Sequence, residues 1–249
     1  MILRTSAALD ERFDTLGAGD IVIGLLPARY LQAAAAADLV GRGVRCLPSV
    51  LCQLLSRSKC AQARLLRRWM APGTRVVARR AELMEALQAL SGQGIAAVVT
   101  KQERMHCGHG VRRWENAETL YNAVGLCGEA YPFVLQPFLQ GVADVRVIIA
   151  GGHIEAYRRE NPFNFRANLA AGGSSSPVAL GETALGLCRA VMARGGFPYA
   201  HIDLQLMPEG ACYLSEIALD GGITGARIGR EELNAIKQAT LEHLAVPHT

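Results

Sequence analysis

The 249-residue sequence predicts an α/β protein that begins with a small strand, helix and strand unit and becomes strand-rich in its second half. Two observations lead to this fold class. Apolar segments alternate with helical patterns near the start of the chain, and short apolar strands joined by Gly-containing turns follow over 133–220. Half of the residues are apolar, which is typical of a packed globular core. Disordered and collagen-like classes are therefore excluded.

The elements of the first half follow from apolar periodicity and from Gly and Pro stop signals. In chain order we expect a buried strand at 20–26, an Ala-rich helix at about 30–41, a strand at 43–48, a helical region at about 49–70, a strand at 74–77, an amphipathic helix at 80–90 and an apolar strand at 95–100. The last strand ends at Lys101.

The second half is expected to contain two hairpins, each followed by a helix. The predicted strands are 133–136, 145–149, 153–157, 201–207 and 212–217, and the predicted helices are 181–194 and 231–244. Ser174–Ser176, beside two glycines, is expected to be a loop.

The sequence is mildly basic, and almost all of its basic residues are arginines. The formal net charge is +4, and of the 26 basic residues only Lys59, Lys101 and Lys237 are lysines. The arginines occur in scattered pairs, so an anionic small molecule suits them as well as nucleic acid, and nucleic acid is not expected. Seven cysteines without a Cys-x-x-Cys pair, and no apolar run of membrane-spanning length, lead us to expect a cytoplasmic protein without a membrane segment.

A strand-end lysine followed by a Gly-containing loop is the first candidate for chemistry. Lys101 precedes Gly108-His109-Gly110, in a loop that also carries Arg104, Arg112 and Arg113. Backbone N–H groups of such a loop can close on phosphate oxygens that an ammonium neutralises, although the spacing is not that of a Walker A motif. The alternatives are a solvated lysine beside a turn, or a Zn²⁺ site with His106 and Cys107, which lacks a second ligand cluster.

The last predicted hairpin brings two carboxylates together. Asp203 and Glu216 lie in the two strands of this predicted hairpin, where antiparallel pairing is expected to place them on one face, and Asp220 follows closely. Two neighbouring carboxylates in an apolar sheet repel each other unless a cation joins them, and Mg²⁺ held by carboxylates and substrate phosphates satisfies this requirement. Exposed acids on an edge hairpin are the alternative.

A segment of arginines and aromatic residues supplies a third candidate. Arg159, Arg166 and Asn168 are forked or amide donors suited to phosphoryl or carboxylate oxygens, and Phe163 and Phe165 between them indicate partial burial. A solvated arginine face is the alternative.

Taken together and in this order, these elements resemble the ATP-grasp superfamily, in particular its RimK-like amino-acid ligases. The matching segments are Ser58-Lys59, 71–74, 98–101, 134–139, Asp144-Val145-Arg146, Arg159, 165–168, Gly172-Gly173, Ile202-Asp203 and 215–217. The resemblance covers the chain from about Gly43 onward. It implies two α+β lobes that grip ATP, at 58–138 and 139–249, preceded by a shortened α/β domain at 1–57.

The resemblance also implies a role for each matching residue. The phosphates of ATP would meet Lys59, Lys101 and the loop glycines Gly108 and Gly110; adenine would lie against Gln136, Pro137, Phe138 and Leu139, and the ribose at Asp144. Arg159, Arg166, Ala167 and Asn168 would line the phosphoryl-transfer side. Asp203, Glu216 and, less directly, Asp220 would hold Mg²⁺, or Mn²⁺ in its place.

The implied activity is ATP-dependent ligation of a carboxylate to an amine through an acyl phosphate, a reaction controlled by positioning and charge neutralisation. Glutamate is the expected amino acid, and the acceptor is a pterin-like cofactor, peptide or protein with an amine or carboxylate, polyanionic if the arginine loop binds it. A homo-oligomer is compatible with the sequence.

One departure from the family pattern leaves alternative functions open. Ala218 stands where the family usually has an Asn metal ligand, two residues after Glu216. An ATP-binding scaffold or regulatory protein with a degenerate site is therefore the second hypothesis, and a ligase of the D-alanine type is the third.

Overall fold

A computed structural model describes residues 1–103, 105, 109–126, 131–167 and 172–246. Its first part is a small parallel sheet in the order β1-β2-β3. The strands are β1 Ile2–Leu3, β2 Ile21–Ile23 and β3 Arg45–Leu47; the helices are α1 Ser6–Arg12 and α2 Ala33–Gly41, with 3₁₀ turns at Phe13–Thr15 and Ala28–Leu31. The predicted strand, helix and strand unit is confirmed, with β1 and α1 added before it.

Two short helices connect this sheet to the rest of the chain. They are α3 Val50–Arg57 and α4 Lys59–Leu65, and a 3₁₀ turn at Arg67–Trp69 follows. The prediction of one helical region over 49–70 was wrong in its continuity, because Ser58 has extended backbone angles and its hydroxyl caps α4 by accepting from the Ala61 N–H. Lys59 is consequently the first residue of a helix.

The second sheet is antiparallel, in the order β4-β7-β5-β6. It consists of β4 Arg75–Val77, β5 Val98–Gln102, β6 Val111–Trp114 and β7 Phe133–Pro137, with helices α5 Arg80–Ser91 and α6 Ala117–Leu126. Leu83, Leu90 and Leu120 pack under it as a separate core. Strand β5 starts later than predicted, because the Ile95 N–H still bonds to the Leu90 carbonyl at the end of α5.

The third and largest sheet is also antiparallel, in the order β10-β9-β8-β11-β12. Its strands are β8 Ala143–Ala150, β9 His153–Glu160, β10 Ser174–Pro177, β11 Tyr199–Leu206 and β12 Cys212–Ala218; α7 Glu182–Gly195 and α8 Arg230–Ala245 pack against it. Ser174–Ser176 was predicted as a loop, but it forms the edge strand β10, in which Ser175 pairs with Arg159.

A β-bulge interrupts the pairing of β11 with β12. Asp203 is opposite Glu216 and Leu204 is opposite Leu214, so Ser215 is an extra residue with no partner position. Leu204 and Leu214 are buried in the core. The bulge keeps these leucines inside while Asp203 and Glu216 share the other face.

None of the helices in the described ranges is long and apolar enough to cross a membrane. The domain limits at 57 and 138 remain predictions.

Candidate functional site

A cleft of about 1260 Å³ separates the second sheet from the third. Val99, Lys101 and Gln136 line it from the second sheet, and Arg146 and Asp203 line it from the third. The ends of helices α3 and α4 close one side. Of the predicted site residues that the structure describes, all except Gly110 line this one cavity, although they come from three parts of the chain.

Strand register aligns the charged side chains of the third sheet in two rows. One row runs across the strands from Arg146 through Asp203 to Glu216, and the next pairs Asp144 with Arg159. The guanidinium of Arg146 donates from Nε and Nη2 to the two oxygens of Asp203, at 2.7 and 2.8 Å. This bidentate pair fixes the Asp203 carboxylate in one orientation.

Arg159 joins the two rows. Its Nε donates to Asp144 Oδ1 at 2.6 Å, and its Nη2 lies 3.1 Å from Asp203 Oδ2. Burial by itself would raise the pKa of Asp203, but Arg146 and Arg159 lower that pKa below its ordinary value. Burial and the neighbouring Asp203 raise the pKa of Asp144, and Arg159 opposes this rise. The four groups therefore form one charge-balanced ladder.

Lys101 and Lys59 enter the cleft from the opposite side. Lys101 Nζ donates to the carbonyl and hydroxyl oxygens of Ser215, the bulge residue, at 3.1 and 3.0 Å. Lys59 Nζ donates to the Met105 carbonyl and lies 3.8 Å from Glu216 Oε1. Withdrawal from water lowers the pKa of Lys101, and Glu216 opposes this effect. Two ammonium groups thus border the carboxylate row.

The predicted adenine wall lies at the end of β7. Gln136, Pro137, Phe138 and Leu139 all line the cleft. The Gln136 side chain donates to Thr74 Oγ1 at 3.1 Å and is buried, so it has a structural partner. The Phe138 ring is flanked by the Arg113 guanidinium at 4.0 Å and by Phe165 at 6.3 Å, edge to face. This end of the cleft is apolar and aromatic, as a flat base requires.

The phosphate-side loops are only partly within the described ranges. Arg166 and Ala167 line the cleft, and Arg166 donates to the Val111 carbonyl of the second sheet, from Nε at 2.9 Å. The Gly110 carbonyl accepts from the Gln102 N–H at 2.8 Å. Gly110 also packs closely on Met105, because a Cβ added to Gly110 would lie only 2.7 Å from the Met105 Cβ. Gly108 and Asn168 lie outside the described residues, as does Arg104.

The carboxylates fit a divalent metal ion in part. Glu216 is 37% exposed into the cleft and faces Lys59, whereas both oxygens of Asp203 accept from arginines. Among the described residues no group of three or more His, Cys, Asp or Glu is arranged to hold a metal. Mg²⁺ needs only one or two protein carboxylates when phosphates complete its octahedron, so this arrangement is compatible with a metal that arrives with a nucleotide, and the assignment of Glu216 and Asp203 as its ligands stays a prediction.

Asp220 lies at the far end of the cleft. Its carboxylate is 3.1 Å from Arg230 and 3.3 Å from Lys237, so two cations already neighbour it. Ala218, between Asp220 and Glu216, lines the cleft opposite His201. A role for Asp220 as a ligand stays a prediction.

The sequence assigned no role to Arg146 and His201, which line the cleft, or to Lys237, which contacts residues that line it. Arg146 is two residues from Asp144 and His201 is two residues from Asp203, so strand alternation alone places each pair on one face. Lys237 is in α8, more than 130 residues after Lys101, and its only sequence signal was the rarity of lysine. Because its partners come from β11 and from the segment after β12, only the folded chain reveals it.

The comparisons with known proteins concern the fold. No protein-family model and no curated protein matches the sequence. Solved structures do match. The D-Ala:D-Ser ligase VanG from Enterococcus faecalis has a TM-score of 0.63 at 14% identity, over 91% of this chain and 73% of that one. The D-cycloserine synthetase DcsG has a TM-score of 0.61 at 16% identity, over 98% of both chains.

The third matching structure is described as an ATP-grasp ligase. The RiPP-associated ATP-grasp ligase from Chryseobacterium gregarium, solved with ADP and a leader and core peptide, has a TM-score of 0.60 at 17% identity, over 92% of this chain and 77% of that one. Each of these likenesses covers 91% or more of this chain. The chain has the ATP-grasp fold that its sequence predicts.

Proposed function

We propose that this protein is an ATP- and Mg²⁺-dependent ligase that joins a carboxylate to an amine. The observation that carries the proposal is the cleft itself, in which Lys59 and Lys101 border the carboxylates Asp203 and Glu216 beside an aromatic pocket. The matching solved structures are named as ligases and synthetases, which supports the same reaction class. The RimK-like subtype is the finer part of this proposal.

Each side chain has a task in the first half-reaction. The base of ATP lies beside Phe138 and Leu139, and the ammonium groups of Lys59 and Lys101 neutralise its phosphates. Glu216 and Asp203 would hold Mg²⁺, which supplies charge neutralisation at the phosphate oxygens. A substrate carboxylate oxygen then forms a bond to the γ-phosphorus, the bond to the bridging oxygen breaks, and ADP leaves. Arg166 is our candidate for stabilising the transferred phosphoryl group.

The second half-reaction forms the amide. The amine nitrogen attacks the acyl carbon, phosphate leaves with the electron pair of the C–O bond, and the nitrogen loses a proton. Because Arg146 and Arg159 hold Asp203 rigidly, the carboxylate row is oriented before substrates arrive. Arg57 and Arg158 at the cleft favour an anionic acceptor, such as a peptide or cofactor with several carboxylates.

Hydroxylamine tests the proposal without a known acceptor, since it attacks an acyl phosphate to give a hydroxamate. Purified protein is incubated with Mg-ATP, hydroxylamine and one amino acid at a time: L-glutamate first, then D-alanine and D-serine, followed by the remaining common amino acids. We expect ADP and hydroxamate to form in equal amounts with at least one of them. Two controls follow: omission of Mg²⁺ should abolish both products, and the Lys101→Met variant should lower the rate of both roughly 100-fold.

The scaffold hypothesis rests on Ala218, which lines the cleft but has no side-chain oxygen to offer a second metal ion. It predicts that Mg-ATP binds in calorimetry while no carboxylate stimulates ADP release. The Ala218→Asn variant separates the two functions. A large gain in hydroxamate would show a decayed site, and an active parent protein with no gain would support the ligase. Failure to bind Mg-ATP would contradict both functions.

A further inference from the structure

Lys237, the third lysine, is buried at the edge of the cleft although it belongs to the C-terminal helix α8. Its Nζ donates to the Leu219 carbonyl at 2.9 Å and lies 3.3 Å from Asp220 Oδ1 and 3.2 Å from His201 Nε2. It also lies 5.2 Å from the centre of the Tyr199 ring. A buried ammonium with this many contacts has a defined position, unlike a solvated lysine.

The contacts of Lys237 belong to a wider set that fixes one turn. This turn, which we define as Leu219–Gly222, follows β12 and lines the cleft. Three of its carbonyls accept from cationic side chains: Leu219 from Lys237, Gly221 from Arg230 at 2.9 Å, and Gly222 from Arg146 at 3.2 Å. The turn is therefore held from several directions rather than by β-sheet pairing.

The His201 ring packs against this turn. A Cβ added to Gly221 would lie 3.2 Å from His201 Nδ1, so the glycine backbone packs directly on the imidazole ring. Because the Lys237 ammonium can only donate, His201 Nε2 is the acceptor and the ring proton is on Nδ1. That buried Nδ1 has no hydrogen-bond partner among the described residues. Lys237 thus sets the tautomer and the position of the ring beneath Gly221.

The turn and the nucleotide wall lie on opposite sides of the Asp203 row. Strand β8 starts just after Leu139, and Asp144 near its start pairs with Gln205 of β11. His201, four residues earlier on β11, therefore lies beyond the Asp203 row when measured from the adenine end. With phosphates at that row, a second substrate must enter on the His201 side.

We propose that Lys237 is a positioning residue that holds the Leu219–Gly222 turn in place for the substrate that reacts at the phosphoryl end of ATP. The inference rests on the proposed ligase function and adds to it a residue from a distant helix. Without the ammonium, the Leu219 carbonyl and His201 Nε2 lose a buried donor, and Asp220 keeps Arg230 and the Gly221 N–H but loses its buried cation. The turn then loosens, while the nucleotide wall, built from other elements, is unaffected.

Three variants test the proposal. Lys237→Met removes the ammonium at similar side-chain length, Lys237→Arg retains a cation, and Gln238→Met changes an exposed neighbour on the same helix. Two quantities are measured for each: the affinity for a non-hydrolysable Mg-ATP analogue, and amide hydrogen exchange across 219–224 compared with 133–139. Kinetics follow with hydroxylamine and the amino acid that gives hydroxamate in the parent protein.

We expect Lys237→Met to bind the nucleotide analogue within about twofold of the parent, to exchange about tenfold faster across 219–224, and to raise the KM for the amino acid about tenfold or more. Lys237→Arg should recover part of both changes, and Gln238→Met should behave as the parent. Equal exchange and equal KM in Lys237→Met would overturn the proposal. So would equal losses at nucleotide and amino acid, or misfolding of both Lys237 variants, since Lys237 would then be a general structural residue.

The exchange measurement needs no substrate, so it separates the two proposals. If the parent protein makes no hydroxamate but Lys237→Met loosens the turn alone, the ligase function has failed and the role of Lys237 in holding the turn stands. If hydroxamate forms and Lys237→Met leaves both the turn and the KM unchanged, the ligase stands and the role of Lys237 has failed.

Discussion

The two sheets that face each other across the cleft differ in how their charged side chains are paired. Of the charged residues in the described strands of the second sheet, Lys101 alone lines the cleft, while Arg113 lies over the Phe138 ring; no carboxylate of the described residues lies within 4 Å of Lys101 Nζ. The third sheet presents Asp144, Arg146, Arg159 and Asp203, each within hydrogen-bond distance of an opposite charge. Both surfaces are polar, but only one is internally neutralised.

This difference indicates a division of labour. A ladder of paired charges is rigid, because each carboxylate is oriented by a fixed guanidinium fork. An ammonium without an ionic partner keeps most of its charge available for an incoming anion. The third sheet is therefore suited to positioning a ligand, and Lys101 is suited to neutralising it. Substitutions on the two sheets should have different effects, and these differences can be measured.

The largest effect is expected from breaking the ladder. Asp203→Asn leaves Arg146 and Arg159 without a shared carboxylate and should lower the free energy of unfolding by about 3 to 5 kcal/mol in urea titrations. The matched control is Glu160→Gln, which removes an exposed partner of Arg158 and should cost less than about 1 kcal/mol. Equal stability losses in the two variants would contradict a buried, cooperative ladder.

Lys101→Met should act on turnover instead of stability. We expect kcat/KM for ATP to fall roughly 100-fold, equivalent to about 2.7 kcal/mol of transition-state stabilisation. The urea midpoint should stay close to that of the parent, because the lysine contributes only two hydrogen bonds to Ser215. Lys101→Arg should not restore the rate, since a planar fork cannot take the place of a compact ammonium against the bulge. A large stability loss would mean that the two sheets do not divide their tasks in this way.

Glu155 supplies the smallest of the three effects, and this effect depends on pH. It is buried in β9 and accepts from the Arg227 and Ile228 N–H groups at 2.6 and 3.3 Å. Burial would raise its pKa, but these bonds lower it below its ordinary value. The stabilisation is therefore present above the unfolded pKa of about 4.3 and is lost as pH falls through the folded pKa. Glu155→Gln should cost about 1.5 kcal/mol at pH 7, and the difference should shrink below about pH 4.

Sequence patterns predicted the parts of this fold that depend on local periodicity. The hairpin that carries Asp203 and Glu216 and the amphipathic helix α5 are present as expected. Ser174–Ser176 was missed as a strand because polar, Gly-flanked segments have weak strand signals, and its backbone bonds depend on β9. The break at Ser58 was missed because apolar residues continue on both sides of it.

The site could be predicted only as a set of residues, and its internal pairing could not. Sequence order suggested that Asp203 and Glu216 are neighbours, and strand register agrees. Nothing local indicated that Arg146 would take both oxygens of Asp203, because that contact depends on the register of β8 with β11. The contacts of Lys237 could not be predicted for the same reason, because they depend on how the C-terminal helix α8 packs against the third sheet.

The bulge at Ser215 has a consequence for how the length of this strand can vary. Ser215 is supernumerary in the ladder, so a chain lacking that one residue would still place Leu214 opposite Leu204 and Glu216 opposite Asp203. An ordinary single-residue deletion in a strand reverses the inside and outside of everything after it. Here the deletion would remove only the two oxygens that hold Lys101. Gain or loss of this one residue would therefore make or remove the Lys101 contact between the second and third sheets without changing the faces of β12.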